Sequence, residues 1–122
     1  MAKYIVAHDV GTSGNKAVLV DREGRVHGKC FEPYQTYYPS PGWVEQEPAD
    51  WWRAVSKTTR LLLERTGISP GDVLGITYAA QLLGMVPMDS QRGPLFRASR
   101  SDFFPVIIFS LSEISVFKLS NF

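Results

Sequence analysis

Asp9, Gly11, Thr12, Ser13, Gly14 and Lys16 bring a carboxylate, two hydroxyls, two glycines and a cation together between the apolar segments 4–7 and 17–20. Such a set suits an anion. The spacing predicts a tight turn in which Gly11 and Gly14 take positive φ and aim main-chain N–H groups outward. Thr12 and Ser13 add hydroxyl donors, and Lys16 adds positive charge. Asp9, at the mouth of the turn, suits magnesium, which prefers oxygen ligands and keeps several of its waters. A plain hairpin whose Gly and Asn residues serve only the backbone would read the same way, so this loop alone leaves both open.

Two better-known glycine loops do not fit. A Walker loop separates its first glycine from a Gly-Lys pair by four residues and then opens a helix, whereas Ala17-Val-Leu-Val20 reads as a strand. The dinucleotide fingerprint is absent as well.

The elements that must hold this loop follow from pattern. Strands are expected over 3–8, 15–20 and 26–34, with Asp21-Arg-Glu-Gly24 turning the second into the third. Residues 35–42 are rich in Tyr and Pro and are expected to form an ordered loop across the sheet edge. A helix over 47–66 follows, with Pro48 at its first position, Glu47 and Asp50 at its positive end and Gly67 closing it. Its expected buried stripe is Trp51 or Trp52, Val55, Thr59, Leu62 and Leu63, and both tryptophans are expected to pack. Further strands are expected over 73–79 and 85–88, with a turn at 89–93. The order β-β-β-α-β implies an α/β domain with a mixed sheet.

With 122 residues, 44% hydrophobic, the chain suffices for one domain with a core and is too short for a two-domain enzyme. Acids and bases are interspersed to a net charge of +1, which favours neither nucleic acid nor an anionic membrane as partner. The lone Cys30 is expected to be a half-buried strand residue. An acid at position 9 does not fit a signal peptide, so the default compartment is the cytoplasm. From residue 99 onward the chain becomes rich in Ser and Phe without a clean period. Its longest apolar stretch, 103–109, is too short to span a membrane.

Two further motifs, Pro41-Gly-Trp-Val-Glu-Gln-Glu-Pro-Ala-Asp-Trp-Trp52 and Gly75-Ile-Thr-Tyr-Ala-Ala-Gln-Leu-Leu-Gly-Met-Val-Pro-Met-Asp89 followed by Gly93-Pro-Leu95, join the first loop. Together they resemble the N-terminal domain of the FGGY carbohydrate kinases, the family of xylulokinase, gluconokinase and glycerol kinase. The resemblance covers 3–98. It implies a ribonuclease-H-like fold of the actin, hexokinase and Hsp70 superfamily, here incomplete, with ATP and magnesium as cofactors and a small sugar or polyol as partner. It implies that Asp9 assists magnesium through water, that Gly11, Thr12 and Ser13 hold phosphate oxygens, and that Lys16 occupies a position that is Lys or Arg in the family. Gln81 matches the family's sugar-loop glutamine, and Trp43 is expected either to line the sugar side or to plug the core.

The chain also departs from the family. Xylulokinase-like members follow the glutamine with Met-His, but here Leu82 and Leu83 follow. Two leucines cannot hydrogen-bond a hydroxyl, which argues against xylulose and for another polyol or no substrate. After Ala98 the family's Ile-Ile-Trp strand and Asp-x-Arg give way to Ser99-Arg-Ser-Asp-Phe-Phe, with Asp102 one place out of register. The expectation is a partial kinase domain over 1–98 and an unassigned tail over 99–122 of the kind a frame change would leave. The family's general base, second phosphate loop and adenosine pocket would then be lacking and the chain alone inactive. Another ATPase of the same superfamily and a non-catalytic interaction fragment are the competing readings.

Overall fold

The computed structural model describes residues 3–81, 84–95 and 97–101. The expectations for Leu82, Leu83 and Asp102, and those for the tail beyond residue 101, fall outside the described residues.

Alternation of apolar and polar side chains makes β1 (Tyr4–Val10), β2 (Gly14–Asp21) and β3 (Val26–Pro33) an antiparallel meander. Its register sets Asp9 opposite Lys16 and Ala17 opposite Cys30. Two short strands follow, β4 (Thr36–Tyr37) and β5 (Trp43–Gln46), then the helix α1 (Pro48–Thr66). After a short 3-10 turn, β6 (Val73–Ala80) pairs parallel to β1, and the sheet order is β3-β2-β1-β6. The mixed sheet with its return through a helix is as the sequence predicts. The last described strand, β7 (Ala98–Ser101), pairs with β5 in a second, three-stranded sheet of order β4-β5-β7.

Helix α1 begins with Pro48 where a missing N–H costs nothing, and ends at Gly67, whose φ of 68° lets its N–H return to the Leu63 carbonyl. It lies on one face of the large sheet. Leu62 is fully buried with Val6, Ala17, Leu19, Cys30 and Val73. Burial of a leucine of this kind is worth about 1.5–3 kcal/mol. The approach is close at β3, where a Cβ on Gly28 would lie 2.9 Å from the Thr66 methyl and 3.2 Å from a Leu62 methyl. Cys30 is buried in this layer, and the Arg65 guanidinium lies 3.5 Å from its sulfur, a basic neighbour that sequence distance conceals.

Three expectations are corrected. Trp52 is not on the buried face: it is 59% exposed, while that face runs through Ala54, Val55, Thr58, Thr59 and Leu62. One helical step separates Trp51, half-buried, from Trp52, and that rotation of about 100° turns the second ring outward. Residues 85–88 form no strand, only single bridges from Met85 to Ser99 and from Met88 to Pro94. Pro87 in the middle has no N–H for a ladder. Finally, β4 stands inside 35–42, where an ordered loop was expected, and β5 occupies 43–46, between that loop and the helix, for which no element was expected. No helix among the described residues is long and apolar enough to cross a membrane.

Candidate functional site

The turn between β1 and β2 is held from behind. The N–H of Gly11 donates to the Gly14 carbonyl at 3.0 Å, and the phenol of Tyr34 donates to the Gly11 carbonyl. The Thr12 carbonyl accepts from the Gln46 side-chain amide at 2.7 Å and from the Thr36 hydroxyl at 3.4 Å. The Ser13 carbonyl accepts from the main-chain N–H of Tyr34 at 3.5 Å. All four carbonyls from Gly11 to Gly14 therefore face protein donors. The N–H groups of Thr12 and Ser13 have no partner among the described residues, and both residues are exposed. A backbone whose acceptors are tied back and whose donors are left outward is suited to an anion.

The glycines act differently from the expectation. Neither Gly11 nor Gly14 has positive φ. Gly14 is required by space, because a Cβ there would lie 2.5 Å from the Phe31 ring and 2.6 Å from the Glu32 carbonyl. Cross-strand contact with β3, rather than a left-handed turn, excludes other residues at that position.

Beside this turn lies a cleft of about 740 Å³, lined by Val10, Thr12, Ser13, Tyr34, Gln46, Trp51, Gln81 and Ser99 among others. Gln81 reaches it because its N–H donates to the Val10 carbonyl at 2.9 Å, which keeps the end of β6 beside the end of β1. Thr12, Ser13 and Gln81 thus meet in one cavity. Asp9 does not line it. Val10 faces the cleft, so Asp9 lies on the other face of β1 with Lys16 opposite, and its carboxylate sits under the turn, 3.9 Å from where a Gly11 Cβ would be. Trp43 is 41% exposed on β5 and is likewise outside the lining, to which its neighbours in alternation, Val44 and Gln46, contribute.

Asp9 belongs to no group of three His, Cys, Asp or Glu that would hold a metal among the described residues. A single carboxylate beside a turn with outward N–H groups would fit magnesium that arrives with phosphates and waters, and would not fit an all-protein cage.

Tyr34, Gln46 and His8 were not singled out by sequence. Burial pushes the Tyr34 phenol up to about 12, with the Asp9 charge acting in the same direction, so it stays a hydrogen-bond donor. Gln46 belongs to a quoted motif, but nothing in its type announces four partners. His8 is buried two residues before Val10 on β1, where its Nδ1 accepts from the Asn15 amide at 2.9 Å, its Nε2 lies 3.2 Å from the Thr59 hydroxyl, and its ring stacks on Tyr78. Asn15 also donates to Thr58 at 2.8 Å, which pins the start of β2 to α1.

Residues 4–102 match the model of the N-terminal domain of the FGGY family of carbohydrate kinases. A glycerol kinase of Alkaliphilus metalliredigens is 37% identical over 99 residues, which are 80% of this chain and 20% of that protein. One from Caldanaerobacter subterraneus is 32% identical over the same length and shares. Among solved structures, a gluconate kinase from Lactobacillus acidophilus matches with a TM-score of 0.73 at 26% identity, over 80% of this chain and 19% of that one. A structure described as a xyloylose kinase from Brucella ovis matches at 0.72 and 29%, over 76% and 20%. The chain spans about a fifth of the length of the relatives it matches. The mixed sheet is that of their ribonuclease-H-like, actin and hexokinase fold.

Proposed function

This chain belongs to the FGGY family of carbohydrate kinases, and on that premise we propose that its cleft takes magnesium-ATP phosphates at Gly11, Thr12 and Ser13 and a small polyol beside Gln81. ATP would supply the phosphoryl group, and magnesium would neutralise its charge. The outward N–H groups and hydroxyls of Thr12 and Ser13 hold phosphate oxygens, and Asp9 and Lys16, on the other face of the hairpin, serve the metal's water shell and the phosphate charge only where these extend past the end of the turn. Preformed donors of this kind cost no reorganisation when charge shifts, which is the main means by which phosphoryl transfer is catalysed.

The observation that carries this reading is the turn whose carbonyls are all occupied while two N–H groups remain outward, next to Gln81 in the same cavity. Glycerol kinases among the relatives favour a small polyol, as do two leucines where a larger sugar would want polar contacts. We assign residues 1–98 to the kinase domain together with 99–101, which complete β7 and bring Ser99 to the cleft, and no role to the residues beyond. Transfer needs a base for the acceptor hydroxyl and a second wall over the nucleotide, which we place in the four-fifths of the relatives that this chain does not cover.

The test is titration of the isotopically labelled chain with magnesium-ATP and then glycerol, followed by amide NMR. Shifts gathered at residues 11–16 for the nucleotide and near Gln46 and Gln81 for glycerol support the reading. Shifts elsewhere, or none at millimolar ligand, overturn it.

A further inference from the structure

The Gln46 side chain makes four hydrogen bonds to four separate segments. Its Nε2 donates to the Thr12 carbonyl at 2.7 Å and to the Thr36 hydroxyl at 2.8 Å. Its Oε1 accepts from the Trp51 indole N–H at 3.0 Å and from the Gln81 amide at 2.7 Å. A primary amide has two donor hydrogens and two acceptor lone pairs, so its capacity is completely used. The orientation admits no flip, because a carbonyl only accepts and an indole N–H only donates. Gln46 is also 5% exposed, which makes each bond one that water does not replace.

We propose that Gln46 is the positioning residue that ties the phosphate-holding turn to the Gln81 loop, so that the two halves of the cleft keep one fixed spacing. The chain of atoms is short and direct: Thr12 carbonyl, Gln46 amide, Gln81 amide. On one side it turns the Thr12 carbonyl inward and so leaves the following N–H outward. On the other it takes one N–H of Gln81, which aims that amide's oxygen and second N–H away from Gln46. Trp51 anchors the hub to the first turn of α1, and Thr36 anchors it to β4. The consequence for transfer rests on the kinase reading above, since a fixed spacing between phosphate and acceptor matters only if both bind here. The mechanical link does not depend on it.

No other common side chain reproduces the pattern. Methionine fills nearly the same volume and makes none of the four bonds. Glutamate keeps the two accepted bonds but sets a carboxylate against the Thr12 carbonyl and loses both donors.

The test is amide hydrogen exchange on the full 122-residue chain without ligand, in the wild type, Gln46→Met and Gln46→Glu. The reporters are the N–H of Gly11, bonded to Gly14, and that of Gln81, bonded to Val10, with Leu19 in the core as reference. In Gln46→Met, protection of Gly11 and of Gln81 falls together by roughly tenfold while Leu19 is unchanged. In Gln46→Glu, Gln81 keeps its protection and Gly11 loses it, a split that a space-filling role would not produce. Unchanged protection in Gln46→Met, loss at one reporter only in that variant, or a loss shared equally by Leu19 overturns the proposal. None of these readouts needs nucleotide, so a failed link and a failed kinase reading remain distinguishable.

Discussion

The phenol of Tyr34 and the carbonyl of Gly11, 23 residues apart in sequence, are joined by a hydrogen bond that fixes the back of the turn between β1 and β2. Tyr34 is buried, and its ring also lines the cleft. Tyr34→Phe keeps the ring and removes the donor. It should lower stability by about 1–2 kcal/mol, as expected when a carbonyl loses its partner, with the loss read as a shift in the urea midpoint at constant slope.

The same phenol sets an alkaline limit. Its pKa is raised from 10.0 to about 12, so the folded form holds its proton where the unfolded chain has released one. Stability from this group is complete below about pH 10 and falls as pH rises toward 12. Ultraviolet titration should show one tyrosine ionising only near that upper value, and Tyr34→Phe should flatten the alkaline decline.

His8 sets the acid limit. Burial lowers its pKa from 6.5 to about 4, partly opposed by the hydrogen bond from Asn15. The unfolded chain takes up a proton first as pH falls, so stability is full above about 6.5 and declines down to about 4, by roughly 2–3 kcal/mol in total. Denaturant melts at pH 7.5 and pH 5 should differ accordingly. A profile unchanged by His8→Gln would show that another group is responsible.

At Gly14 the expected outcome depends on which neighbour yields. The Phe31 ring is half exposed and can rotate, whereas the Glu32 carbonyl belongs to the paired strand and cannot. Gly14→Ala should therefore cost about 1–3 kcal/mol. Gly11→Ala meets only the Gly14 carbonyl at 3.4 Å and should cost less. Thermal melts of the two variants, side by side, decide the order.

For turnover, a coupled ADP-release assay on the purified chain with pentuloses, hexonates and glycerol should stay at background. The described residues bring no acceptor base to the cleft in the reading above, and a positioned base contributes a factor of about a hundred to ten thousand. Release that exceeds background and vanishes in Asp9→Ala would show that the chain completes a working site unaided.

The large sheet and helix were legible because each carries a period: β1 and β2 alternate around their hairpin, and α1 has a proline start and a glycine stop. The second sheet was not, since β4 has two residues and β5 four, too few for alternation to register. Of the site, Thr12, Ser13 and Gln81 could be named from motif and loop chemistry, and they line one cleft. Tyr34 and Gln46 could not, because their importance lies in partners far along the chain. Trp52 misled for a related reason: size argues for burial, but one step around a helix decides which face a ring takes.

The parallel pairing of β1 with β6 sets Val6 beside Ile76, across the whole length of the intervening hairpins and helix. Hairpins close in microseconds, and pairings between distant segments wait on the entropy of a long loop. The turn between β1 and β2 belongs to the first of these events and Gln81 to the second. The cleft is thus expected to be a late product of folding, with its two walls made at different times, and any chain released or cleaved before β6 docks carries a formed turn with nothing facing it.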